Sequence, residues 1–380
     1  MQLSELLNLN IDMPSKDIEA ESTRKWNAVA KPLNGLGELE HLITRIAMIR
    51  GTTDFQLSKR ALGIMISDNG IVEEGVSQSK SDVTLAVANL MADDLSSVGK
   101  MIKDVDTFPI DIGIKDGTPG GKVIHEKIRE GSRNFMKEPA QTQEETLRAI
   151  EVGINLIKRL SEEGYDIVAT GEMGIGNTTT SSTILAEMLR LPVPELTGKG
   201  AGLSDEGYAY KCNVIERALS KYDMNGMILS LYSDLAKEMP DTFTGSVPDI
   251  GLMKRLHAFL ALSTFGGYDI SGLAGVFIGG SMYHIPIVID GVISATAAYI
   301  AEQILPGTKE YMLPSHLGSE PAMQHIYDEM NLTQRPVICA GLHLGEGTGA
   351  VMLFPLLDMA KSLYDGTKFL DTDIEPYKEL

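Results

Sequence analysis

The chain has 380 residues, 43% hydrophobic and 22% charged, which suits a folded protein of one or two domains with a large core and argues against disorder. Its 33 Lys and Arg stand against 52 Asp and Glu, a net charge of −19, so the basic stripe of a nucleic-acid-binding protein is not expected. No apolar run is long enough to cross a membrane, residues 1–16 lack the basic-then-apolar order of a secretory leader, and the two cysteines, Cys212 and Cys339, suit a reducing compartment without a metal pair. A cytoplasmic protein acting on small molecules, with no cofactor and no membrane or nucleic-acid partner, is the expectation.

In chain order, residues 17–29 and 38–50 show helical spacing, and Pro32, Gly35 and Gly37 break the chain between them. Lys31, in that break, reads as a solvated loop charge. Residues 61–67 form an apolar run of strand length that stops at Asp68-Asn69-Gly70, a turn at the position where α/β folds keep their chemistry. A helix is predicted over 82–102, a strand over 108–114 and a loop over 115–121. Thr142 and Glu145 have the spacing of a capping box and open a helix over 143–163.

The β-branched run 165–170 then leads into Gly171-Glu172-Met173-Gly174-Ile175-Gly176-Asn177-Thr178-Thr179-Thr180-Ser181-Ser182, read as a glycine-rich turn before a helix over 183–190. Glycines let backbone approach a ligand, and the N–H groups of the following helix attract an anion such as phosphate. Glu172 takes the place a phosphate loop gives to lysine, so the turn promises more than phosphate binding; the same residues would also serve as a simple helix cap. A second glycine-rich turn, 196–207, precedes a helix to about residue 221 in which Lys211 either returns toward the turn or lies at the surface. Residues 223–248 carry little pattern and are expected to be a loop-rich insertion or lid. A small-residue helix opens near 265–275, the strand 285–289 ends at Asp290-Gly291, and a helix follows over 294–303. Near the end, Gly345-Glu346-Gly347 repeats the Gly-Glu theme at the start of an apolar helix, 351–363. Alternating strands and helices imply an α/β fold with a mostly parallel sheet covered on both faces.

Taken together, GEMGIGNTTTSS (171–182), LGEGTGA (344–350), KPLNGLGELE (31–40), SDNGIVEEGVS (67–77), GSRNF with EPAQT (131–142), GKGAGLSDEG (198–207), GLAG (272–275) with IVIDG (287–291), and SHLGSEP (315–321) resemble the nicotinate-nucleotide:dimethylbenzimidazole phosphoribosyltransferase family, in that family's order. The first two motifs are specific; the others are weak alone. The resemblance implies a Rossmann-like sheet with a small helical domain from both chain ends, here residues 1–55 and 346–380 around an α/β part at 56–345, and a homodimer. It implies transfer of a phosphoribosyl group from nicotinate mononucleotide to a base, with Glu346 as general base and Glu172 stabilising the cationic sugar. Gly174, Gly176, Asn177, Thr178, Thr179, Gly202 and Lys211 are implied to hold phosphate and ribose, and Asp68, Asn69, Ser77 and Leu344 the acceptor base; no metal is implied.

Departures fall on the base side. Asn69 stands where the family has histidine, Lys80-Ser81 where it has proline-glutamine, Ala86-Val87 where it has glutamine-methionine, and Asp269 where glutamate is common; a Gly-Gly-Ala-Ala run is absent near 93–98. The expectation is therefore a phosphoribosyltransferase whose acceptor need not be dimethylbenzimidazole. A hydrolase of the donor and a non-catalytic nucleotide-binding homologue remain alternatives. His316 and His343 are left without a role.

Overall fold

The computed structural model describes residues 1–238 and 249–377. Six parallel strands, β1 (Arg60–Ser67), β2 (Asp106–Gly113), β3 (Ile124–His125), β4 (Ile167–Met173), β5 (Ile287–Ile289) and β6 (Met312–Pro314), form one sheet in the order β3-β2-β1-β4-β5-β6. The chain winds outward from β1 in one direction and from β4 in the other, so the switch point lies between these two strands, where ligands of open α/β sheets bind.

Strand residues are buried on both faces, which is why they read as apolar runs, and the two-residue period divides them between two cores. Ala61 and Met65 of β1 join Ile110, Ile112, Val168, Ile287 and Ile289 against the helices Gln143–Glu162 and Tyr268–Tyr283. Leu62, Ile64 and Ile66 face the other way with Ile167, Ala169, Val288 and Leu313, and meet the helices Lys16–Ala28, Glu38–Arg50 and Thr348–Tyr364. Each aliphatic side chain buried this way stabilises the fold by roughly 1.5–3 kcal/mol. The two helices of the first core pack backbone to backbone. A Cβ added to Gly153 would lie 2.0 Å from the carbonyl oxygen of Gly272, and one on Gly275 would lie 1.9 Å from that of Ile150. At the start of Gln143–Glu162, Glu145 N donates to Thr142 Oγ1 and Thr142 N to Glu145 Oε2, completing the expected capping box.

The two ends of the described chain meet. Val29 and Lys368 form an antiparallel bridge, the rings of Trp26 and Tyr364 pack at a tilt with centroids 4.8 Å apart, and Tyr364 OH donates to Ser22 Oγ. Their helices share a core with one face of the sheet. Lys31, expected in solvent, is instead buried and paired with Glu40 at 2.7 Å.

Several sequence expectations change. β4 continues through Glu172 to Met173 and the helix begins at Asn177, so the long glycine-rich turn shrinks to Gly174-Ile175-Gly176. The helix over 82–102 is two helices, Asp82–Ala92 and Ser97–Met101, separated at Asp94, whose φ is +54°, and restarted by Ser96 Oγ accepting from Gly99 N. Residues 224–238 are not loop but the helix Met224–Glu238, burying Met224, Ile228, Leu231 and Leu235 at helical spacing. Gly226, which breaks the pattern in sequence, lies in the first turn, where its N–H donates to Asp223 Oδ1 and the missing side chain leaves room for that carboxylate. The remainder of the proposed insertion, 239–248, lies outside the described residues.

Candidate active site

The C-terminal ends of β1 and β4 bring together residues from five separate stretches. Glu172, at the end of β4, accepts a hydrogen bond at Oε2 from Asn177 Nδ2, and the same amide nitrogen donates to Asp269 Oδ2 over 3.0 Å. One amide thus serves two carboxyls. Some of the surface of Glu172 stays accessible, but its carboxyl is densely enclosed, and burial, then the neighbouring Asp269, pushes its pKa up to about 8. Asp269 is likewise raised by burial, to about 6, with the Asn177 bond pulling the other way. Both carboxyls therefore hold protons well above the usual range, and among the described residues no salt bridge reaches either.

Asn69, after β1, is buried and leans toward the β4 turn, its Nδ2 lying 3.4 Å from the carbonyl oxygen of Ile175. Gly174 and Gly176 make room for that turn: an added Cβ on Gly174 would meet Ser67 O at 2.4 Å and Asp269 Oδ2 at 2.7 Å, and one on Gly176 would meet Val72 Cγ2 at 2.6 Å. Their missing side chains thus admit protein, and only their backbone groups remain for a ligand.

Lys211 returns toward the glycine turns rather than lying at the surface. It is fully buried, and Nζ donates to Thr178 Oγ1 at 3.0 Å and to the carbonyl oxygen of Gly198 at 3.1 Å. Burial lowers its pKa to about 8, partly offset by Glu320, whose carboxylate packs against the α-carbon of Gly198. Asn177, Thr178, Lys211 and Gly198 so define one corner of the site. Thr179, proposed beside Thr178, is fully buried with no partner for Oγ1 among the described residues, because the helix begins at Asn177 and turns this side chain inward.

Glu346 reaches the cluster from the other side of β4. Its main-chain N–H donates to the carbonyl oxygen of Glu172 at 3.3 Å, and its Oε2 accepts from Val98 N at 3.1 Å. Gly345, Glu346 and Gly347 all have positive φ, +86°, +59° and +85°, so a glutamate occupies a left-handed conformation that side chains rarely adopt. Behind it, Asp290 accepts from Gly347 N and Ala350 N.

Asp68 Oδ2 accepts from Lys115 N at 2.8 Å, and the residue lines a cleft of about 690 Å³ with Asn69, Lys80, Lys115, Arg129 and Arg133. Ser77 is half-buried with Oγ accepting from Ser79 N, and Leu344 is 56% exposed. Gly202 has φ +102° and its carbonyl oxygen accepts from Gln78 Nε2, so the 196–207 turn touches the loop that carries Ser77. His343 is exposed; His316 is buried beside Ser315. Sequence reasoning missed Asp290, Val98 and Glu320 as neighbours of the site, although the Asp-Gly turn closing the 285–289 run and the Glu-Pro of the 315–321 motif marked two of them.

A Rossmann-order sheet with carboxyls and a buried lysine gathered near its switch point is the framework of an α/β enzyme with a small-molecule substrate. The chain belongs to the family whose model is described as "Phosphoribosyltransferase", which matches residues 11–233 and 250–373. It is 34% identical to the nicotinate-nucleotide--dimethylbenzimidazole phosphoribosyltransferase of Ruminiclostridium cellulolyticum, covering 100% of this chain and 98% of that one. It is 36% identical to the protein of the same name from Clostridium acetobutylicum, over 94% of each. Among solved structures, CobT from Thermus thermophilus superposes with a TM-score of 0.80 at 28% identity, over 93% of this chain and 98% of that chain.

Proposed function

We propose that this phosphoribosyltransferase moves the phosphoribosyl group of nicotinate mononucleotide to a ring nitrogen of a cobamide lower-ligand base, releasing nicotinate. The names of the relatives support the donor and the reaction type. The observation that carries the assignment of roles is the joining of Glu346 and Glu172 across β4, within one cluster, with Lys211 at its corner.

In this reading the phosphate rests on Lys211, Thr178 and the backbone of the Gly174–Gly176 turn. The bond from C1′ to the nicotinate nitrogen breaks with its electron pair, leaving neutral pyridine nitrogen and an oxocarbenium-like sugar. The acceptor nitrogen attacks C1′ and its proton passes to Glu346. Glu172 carries a proton near neutrality in the free enzyme; arrival of the donor's cationic ring favours its ionised form, which then faces the developing positive charge.

The acceptor is read as a base other than dimethylbenzimidazole. Asn69, Lys80, Ser81 and Ala86 replace the residues the family resemblance led one to expect, and the cleft beside Asn69 is lined by several charged groups. The working form is read as a homodimer, with the exposed apolar side chains Leu95, Met101, Leu344 and Met352 supporting a covered face.

The test is incubation of the protein with nicotinate mononucleotide and a panel of benzimidazoles, purines and phenols, following nicotinate release and new nucleotides by mass spectrometry. A new α-linked nucleotide names the acceptor. Nicotinate release with no new nucleotide under any acceptor points to donor hydrolysis, and donor binding without turnover sinks the catalytic reading.

A further inference from the structure

Glu346 holds an unfavourable backbone conformation between two glycines that share it, so something outside the loop must keep it there. The buried side chain of Asp290, which follows β5, does so with both oxygens: Oδ2 accepts from Gly347 N at 3.2 Å and Oδ1 from Ala350 N at 3.0 Å. These N–H groups lie at the start of the helix Thr348–Tyr364, immediately after Glu346. Asp290 is itself fixed, since its own N–H donates to Ser294 Oγ at 3.2 Å. His316 closes the pocket around this start. A Cβ on Gly349 would lie 2.1 Å from His316 Nδ1, and Ser315, donating to the carbonyl oxygen of Ile289 at 2.6 Å, leaves its oxygen to accept from His316 Nδ1–H.

We infer that Asp290 is a positioning residue for the transfer reaction, clamping the left-handed loop so that the Glu346 carboxylate meets the acceptor nitrogen. A carboxylate is required because the two N–H groups engage different oxygens. An asparagine would turn its NH₂ toward one of them and set donor against donor. The inference rests on Glu346 being the general base, so the experiment treats the two claims separately.

The experiment measures kcat and donor KM for the full chain and for Glu346→Gln, Asp290→Asn, Asp290→Ser and the Glu346→Gln/Asp290→Asn double variant. Asp290→Ser keeps one acceptor and a smaller volume, and serves if Asp290→Asn fails to fold. Asp290→Asn is expected to lower kcat about 100-fold through misplacement of the base, with donor KM changed less than about 3-fold. Asp290→Ser should fall between Asp290→Asn and the parent. In the Glu346→Gln background the Asp290→Asn change should cost less than about 3-fold, because there is no base left to aim. If the cost is the same in both backgrounds, or falls on donor KM, the positioning role is overturned. If Glu346→Gln alone keeps full turnover, the assignment of the base fails instead.

Discussion

The main-chain nitrogen of Glu346 donates to the main-chain oxygen of Glu172, 3.3 Å away, so the two carboxylates proposed to share the chemistry hang from directly bonded backbone. The closeness depends on Gly171. A Cβ there would lie 2.8 Å from the carbonyl oxygen of Glu346 and 3.0 Å from Gly347 N. Gly171→Ala should therefore push the Glu346 loop off β4, destabilising the protein by about 1–3 kcal/mol and lowering kcat well beyond what the stability loss explains. Urea unfolding together with kcat at saturating donor checks both parts; an alanine variant with parental kcat would show that the loop tolerates displacement.

Lys211→Met should act on donor binding. The substitution preserves most of the buried stem and removes the charge that meets Thr178 and the Gly198 carbonyl. Loss of a hydrogen bond from a charged group, worth about 1.5–3 kcal/mol, corresponds to a roughly 10–100-fold weaker donor affinity. Titration calorimetry with nicotinate mononucleotide reads this directly, and unchanged affinity would remove Lys211 from the phosphate corner.

Stability should depend on pH through the same groups, in opposite senses. Glu172 rises from 4.5 to about 8 on folding, so between those values the folded state holds a proton that the unfolded chain has lost. Its contribution is most favourable below pH 4.5 and declines as pH rises toward 8. Lys211 falls from 10.5 to about 8, so the folded state holds fewer protons in that window and its burial penalty is relieved as pH rises from 8 to 10.5. Replacing Glu172 with Gln, which cannot ionise, should flatten the decline between pH 4.5 and 8 relative to the parent. Thermal melts across that range decide it; parallel curves for the two proteins would mean Glu172 titrates normally.

Away from the site, Gly153→Ala should be costly for a different reason. The new methyl meets the backbone carbonyl of Gly272, which cannot rotate aside. A loss of about 3 kcal/mol in stability is expected, with the donor KM of the folded fraction unchanged. A variant that melts with the parent would mean that the two helices separate without penalty.

Much of this arrangement was legible in the chain because parallel strands covered on both faces leave uninterrupted apolar runs, and β1 and β5 run into turns, Asp68-Asn69-Gly70 and Asp290-Gly291, whose residue types mark the end of a strand. Glu172, Lys211 and Glu346 were readable as motif residues. The short strands β3 and β6 and the helix Ala322–Met330 were not, since two or three residues carry no period and a nine-residue helix carries little. Met224–Glu238 was missed for another reason: a glycine in its first turn, capped by Asp223, looks in sequence like a break. In the site, no local pattern tells that Asn177 binds two carboxyls, or that Thr179 turns inward while Thr178 stays at the mouth. Those facts follow from where the helix begins, which packing against Asp269 and Asn69 decides.

The bridge between Val29 and Lys368 and the shared core behind it also govern the order of assembly. The face of the sheet built by Gln143–Glu162 and Tyr268–Tyr283 can close from segments that emerge well before the last helix. The opposite face begins with the helices Lys16–Ala28 and Glu38–Arg50 and waits for Thr348–Tyr364, so its closure joins parts separated by some of the longest loops in the chain. Glu346 sits at the start of that last helix. A nascent polypeptide therefore acquires a nearly complete scaffold before it acquires the residue proposed as its base, and the candidate site is among the last features to be set during synthesis.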